Sequence, residues 1–290
     1  MQWNVICPNP LLANWGGQAH SRAILEVVPF TLSHAAAAWP FRRTRLEFSA
    51  LVTGCFAPDF AYFIFLRAHG AYGHTVPGIF VFDLPVSLVV LWLFHAYVKQ
   101  PATMFLPRAV RSRMNTCDEA FTFWPPSRLA NIVLSILVGT CTHIAWDSFT
   151  HNTFWPYRHL SILRKMVQVP VLGNVGVFKL LQYGSTMFGL VFLAIWILHW
   201  YRTTQPRAQW VEPFNAGQRR AIVVMVPVFA ICASFIRVLH GVGMRVGRGS
   251  LLEFVGEAGI SGLTFFCIGL LVCGVLLRKR AAAPEESPRK

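Results

Sequence analysis

LANIVLSILVGTCTHIAWDSFT, residues 129–150, holds no Lys, Arg or Glu and a single Asp, Asp147. A helix of that length rises roughly 30 Å, which matches the hydrocarbon core of a bilayer, where only a helix or a closed barrel satisfies its own backbone. The stretch therefore predicts a membrane-spanning helix. Five more apolar runs lie on either side of it, at residues 46–66, 76–98, 178–200, 221–240 and 254–277. Trp39, Trp92, Trp124, Trp155, Trp200 and Trp210 fall near the proposed ends, where amphipathic rings settle at the headgroups. Residues 31–39 are apolar but too short to span, and Pro40 with Arg42, Arg43 and Arg45 closes them. They predict a half-helix that dips into the bilayer.

These runs predict an all-α fold, a polytopic transmembrane bundle of about six spans plus the half-helix, forming one domain over 29–280. Residues 1–28 lack the basic head, apolar stretch and small-residue cleavage site of a signal peptide, and are expected to form a poorly ordered leader. The polar tail 281–290 is expected to be disordered. No internal repeat is evident.

Composition agrees with a bilayer. Of the 290 residues 54% are apolar and 13% charged, against roughly 25% charged in soluble domains. A net charge of +14 would point to nucleic acid in a soluble protein, but here the Lys and Arg sit between the apolar runs. Membrane lipid, and no nucleic acid, is the expected partner. Eighteen basic residues fall on the side of the termini and eight on the other, which predicts both termini in the cytoplasm. Seven scattered cysteines without a CxxC read as small buried hydrophobes.

An acidic side chain deep in a span costs about 2.5 to 3.5 kcal/mol on insertion scales, so each one calls for a partner. Asp59, Asp83 and Asp147 are such residues. His143 and Asp147, four apart, lie about 6 Å apart along a helix and about 40° apart around it, and His151 continues the series at the next step. Two imidazoles and a carboxylate on one stripe can converge on a divalent metal. The plainer alternative is a His–Asp hydrogen bond within a bundle. Three further candidates accompany the stripe: Asp59 after the helix-breaking Pro58, His74 at the head of the second run, and His34 in the half-helix. Asp59, His74, His143 and Asp147 all fall in the outer half of the membrane by this topology, and His34 joins them only if the half-helix re-enters.

Other polar residues carry weaker signals. His95, His199 and His240 sit at span ends as interfacial rings do, while His20, His69 and His159 lie in loops without a pattern. Asp83, two residues before Pro85, either orients a histidine or caps a kink. Glu253 and Glu257 favour the positive end of the last helix and can pair with Arg245 or Arg248. Gln182, Ser185 and Thr186 form a polar notch that bridges helices or binds a ligand. There is no HExxH, GxSxG elbow, P-loop or dinucleotide fingerprint.

In order along the chain stand PFTLSH from Pro29, Ala57-Pro58-Asp59, GHTVPG from Gly73, and HIAWDSFTH from His143, with the Gln182 to Ser185 notch after them. This series resembles an uncharacterised bacterial family of multi-pass membrane proteins, domain of unknown function 4184, from about Pro29 to the last span. The resemblance implies a bacterial inner (plasma) membrane location. More distantly, the order is similar to predicted membrane-bound metal-dependent hydrolases and to zinc-dependent phospholipase C. That similarity implies His34, Asp59, His74, His143, Asp147 and His151 as metal ligands, one or two divalent ions with zinc foremost, and Asp59 or Asp147 as ligand or general base. A second His-x3-Glu pair after His151 is missing, so a three-metal cluster is not expected.

Three functions follow from these residues. The first is a metal-dependent hydrolase of a phosphoester or other ester in a lipid or amphiphile. The second is a transporter or ion pathway that relays protons or metal through the same groups, against which the missing repeat counts. The third is a scaffold whose buried polar groups specify helix packing.

Overall fold

The computed structural model describes residues 31–66, 71–114, 121–170, 173–207, 212, 214–242 and 248–282. The expected leader 1–28, His20, His69, Trp210, Arg245 and the tail from 283 lie outside these residues.

The protein is an all-α bundle. A 3₁₀ helix, Thr31–Phe41, leads into a bent pair, α1 (Phe48–Gly54) and α2 (Phe60–Phe65), joined through a 3₁₀ turn, Ala57–Asp59. Then come α3 (Val76–Thr103), α4 (Pro126–Thr150), two short helices α5 (Trp155–His159) and α6 (Ser161–Arg164), and an antiparallel hairpin, β1 (Met166–Val169) with β2 (Gly173–Gly176). Three long helices finish the chain: α7 (Val177–Thr203), α8 (Ala216–Val242) and α9 (Arg248–Ala282). Five helices are long and apolar enough to cross a membrane, and the bent pair, counted as one, makes a sixth. They coincide with the six apolar runs.

The first run is not one helix, and Pro58 is the reason. The pair is bent by 45° at that break. Pro58 has no N–H, so the carbonyl of Gly54 loses its donor four residues on and that of Cys55 loses its donor three residues on. The N–H of Asp59, which would otherwise reach Cys55, bonds to Phe56 O at 3.1 Å instead. Two carbonyls are thereby left for side chains of another helix. At the N-terminal 3₁₀ helix, Pro40 does not end the element as expected: it is accommodated inside, and the helix closes at Phe41.

Small residues let the helices touch. A side chain on Gly139 of α4 would start 2.2 Å from Leu51 O, and one on Gly54 of α1 would start 2.2 Å from Ile136 O, so α1 and α4 cross backbone to backbone. Gly189 of α7 meets Ser33 in the same way, at 2.8 Å from its carbonyl oxygen. Around the crossing, Ala50, Leu91, Ile132 and Ile136 form one buried cluster and Ala38, Leu51 and Cys55 another. At the far ends of α2, α8 and α9, Arg237 donates to Leu66 O and to Glu257 Oε2, and Thr264 Oγ1 donates to Phe63 O at 3.0 Å. Glu257 pairs with Arg237 of α8; Arg245 and the side chain of Arg248, its expected partners, lie outside what the structure describes.

Candidate metal centre

The freed carbonyls set the site. Cys55 O receives a hydrogen bond from His143 Nδ1 at 2.7 Å, one turn beyond the Gly139 crossing. A carbonyl only accepts, so Nδ1 carries the hydrogen, and in the neutral ring Nε2 presents its lone pair inward. Thr140 Oγ1 reaches the other freed carbonyl, Gly54 O, at 3.4 Å.

Around His143 Nε2 the chain gathers residues from four elements. Asp147, one turn on in α4, places Oδ2 3.2 Å from it. Asp59, at the proline break, places Oδ1 at 3.7 Å and turns Oδ2 to the Thr31 hydroxyl at 2.7 Å. His74, ending the 3₁₀ turn Ala71–His74 before α3, has Nε2 3.3 Å from Asp147 Oδ2 and 3.9 Å from Asp59 Oδ1. His34, on the N-terminal 3₁₀ helix, stacks on the His143 ring with centroids 4.0 Å apart and sets Nε2 3.5 Å from Asp147 Oδ1. The half-helix therefore does carry His34 to this depth. His34, Asp59, His143 and Asp147 are all buried, and His74 is 11% exposed at its side chain.

His151 stands at the rim. Helix α4 ends at Thr150 and His151 is extended, with φ −121° and ψ 143°, so the four-residue stripe does not continue onto it as helix. Its Nε2 faces Gln182 Nε2 at 3.1 Å, and Gln182 Oε1 takes a hydrogen bond from Lys179 Nζ at 3.0 Å. An ammonium only donates, which fixes the Gln182 amide and makes His151 Nε2 an acceptor. The Nδ1 of His151 then carries the hydrogen and lies 3.3 Å from Asp147 O and 3.7 Å from Asp147 Oδ1. The sequence marks Gln182 as part of a notch but not Lys179, since nothing in the spacing pairs a lysine in the first turn of α7 with a histidine at the end of α4. Ser185 of that notch accepts from Trp146 Nε1 at 3.1 Å and ties α7 to α4.

Asp83 is fully buried, and among the described residues neither carboxylate oxygen has a hydrogen-bond partner, nor does Ser87 Oγ one turn on. His95 is bonded to Ser49 Oγ at 3.1 Å and stacked on Phe121, away from the cluster.

The inward atoms fit a cation better than they fit one another. His143 Nε2 has no hydrogen-bond partner among the described residues. No Lys or Arg among the described residues pairs with Asp59 or Asp147, so two buried carboxylates face imidazoles and the Thr31 hydroxyl. Ligands about 2.0 Å from a tetrahedral ion stand roughly 3.3 Å apart, close to the separations of 3.2, 3.3 and 3.5 Å about Asp147. Two overlapping groups, His34–His143–Asp147 and Asp59–His74–His143, each bring their ligand atoms within 4.8 Å of one another. Imidazole nitrogen with carboxylate oxygen is a donor set suited to zinc.

The family described as Domain of unknown function (DUF4184) matches residues 28–275. The chain belongs to this family. The DUF4184 region takes in every element that places a residue of the cluster, from the N-terminal 3₁₀ helix to the start of α7, and runs on into α9. No curated protein and no solved structure matches the chain.

Proposed function

We propose that this multi-pass membrane protein is a metal-dependent hydrolase of a phosphoester or other ester in a lipid or amphiphile. The observation that carries the reading is His143: its Nδ1 is committed to Cys55 O, and its buried Nε2 faces two carboxylates without a hydrogen bond. His34, His74, His143 and Asp147 would hold the ion, with Asp59 beside them. A divalent ion supplies a Lewis acid and brings the pKa of a water near 7. Asp147, engaged through both oxygens, serves as a ligand. Asp59, braced at Oδ2 by Thr31 with Oδ1 turned inward, accepts the proton of the attacking water. That proton then passes to the departing alkoxide, so hydrolysis balances as ester plus water to alcohol plus acid.

The cluster lies where α4 ends and α3 and α7 begin. We place this end on the outer face of a bacterial inner membrane, with both termini in the cytoplasm, on the strength of the eighteen-to-eight division of basic residues. A fluorescent protein fused to the C-terminus should light up in cells; a dark fusion of a folded protein would reverse the orientation.

To test the activity, purified protein in mixed micelles is assayed on fluorogenic phosphodiester and carboxylester lipids, with and without zinc. Turnover should fall at least about a hundredfold in Asp59→Asn while bound metal persists. Metal-loaded native protein that turns over none of these esters would leave the hydrolase reading without support.

A second reading rests on Asp83 and Ser87, buried and without hydrogen-bond partners among the described residues one turn apart on α3. Such groups are stations for a proton or cation in a transporter. Flux into sealed vesicles that Asp83→Asn abolishes, without ester turnover, would favour it over hydrolysis.

A further inference from the structure

Between α4 and α7 the chain builds a small ledge from α5, α6 and β1 at the same end as the cluster. Its inner side is pinned. Phe154 lies between two site residues, with ring centroids 6.1 Å from His74 and 6.4 Å from His151. Tyr157 packs edge-on against Phe178 of α7 at 4.9 Å, Leu163 is buried, and Val177 N bonds to Lys165 O at 2.9 Å. Its outer side is apolar and basic at once. Trp155, Ile162 and Met166 are 65%, 58% and 55% exposed, and Arg158, Arg164 and Lys165 are exposed among them.

From His151 to Lys179 the sequence has four basic residues and no acid. Half of the eight basic residues assigned to the outer side therefore cluster in one connection, against the tendency of such loops to lack them. Topology does not explain them. Exposed Trp and Ile beside Arg and Lys at the end of a membrane bundle match the headgroup layer, where the apolar parts enter and the charges meet phosphate.

We infer that this ledge binds anionic phospholipid headgroups of the surrounding leaflet and holds them at the mouth of the cluster. His74 and His151, with side chains 11% and 30% exposed, are the site residues open on that side, and Phe154 joins them to the ledge. The surface itself stands on the membrane assignment; that these headgroups are the substrate class rests on the hydrolase reading.

The test uses full-length protein in nanodiscs of zwitterionic lipid alone or with about a third phosphatidylglycerol, followed by hydrogen exchange in peptides covering residues 155–170. Anionic lipid should slow exchange there by at least about fivefold, the effect of a single basic contact, and high salt should remove the slowing. R158Q/R164Q/K165Q should lose it while keeping the native metal content and melting temperature. Equal exchange in both bilayers overturns the inference, as does slowing that survives the triple substitution or that follows the number of protein copies per disc. Slowing in protein that binds no metal upholds the ledge and sinks the hydrolase reading, so the two failures are distinct.

Discussion

Two ionic groups, roughly at the same end of the bundle, one half-buried and one buried, are built to different ends. In one, Arg237 of α8 meets Glu257 of α9 at 2.5 Å and also caps Leu66 O, so cation, anion and carbonyl satisfy one another. In the other, Asp59 and Asp147 are ringed by His34, His74 and His143, whose inward nitrogens stand 3.2 to 3.9 Å from the carboxylates. The first group is complete within the chain and fastens helices. The second has its donors aimed at a shared centre, where His74 Nε2 lies in hydrogen-bond reach of Asp147 Oδ2, and turns two further bonds outward, to Cys55 O and the Thr31 hydroxyl. A charge taken out of water is retained when paired or when it coordinates a metal; the first group is the paired case, and the proposed reading makes the second the metal case.

The contrast can be broken by substitution. Asp147→Asn removes the carboxylate common to most of the short separations and should abolish tight zinc binding in isothermal calorimetry. The native protein should gain about 4 kcal/mol of stability at zinc concentrations a thousandfold above Kd, and the variant none. Arg237→Gln strands Glu257 and should cost about 1.5 to 3 kcal/mol in unfolding assays, with zinc affinity unchanged. If Arg237→Gln instead released zinc, the two groups would not be independent.

Smaller effects sharpen the same distinction. Gly139→Val pushes a side chain into Leu51 O and should cost about 1 to 3 kcal/mol, and it should also weaken zinc because it parts His143 from Cys55 O. Gln182→Ala loosens His151 without touching the inner donors, and should lower zinc affinity by about tenfold with little change in melting temperature.

Much of this was legible in the sequence because membranes restrict structure so severely. An apolar run long enough to cross must be a helix or part of a barrel, and the six runs coincide with the helices. The His143–Asp147 pair was legible because i and i+4 share a face. His151 fits the same spacing, yet α4 stops at Thr150, and sequence periodicity does not say which turn is the last. The bend at Pro58 was visible as a broken ladder, but the consequence was not: that the freed Cys55 carbonyl is taken by a histidine 88 residues away. Long-range partners such as Thr31 with Asp59, or Arg237 with Glu257, leave no local periodic trace. Nor does the β1–β2 hairpin, whose strands are too short for alternation to show.

The central claim is that the His34, Asp59, His74, His143 and Asp147 cluster holds a divalent ion. Elemental analysis of full-length protein, purified in detergent without chelators, measures it directly. About one or two tightly held divalent ions per chain are expected, falling to background in His143→Ala. Native protein that is folded, stable and metal-free after exposure to zinc would contradict it.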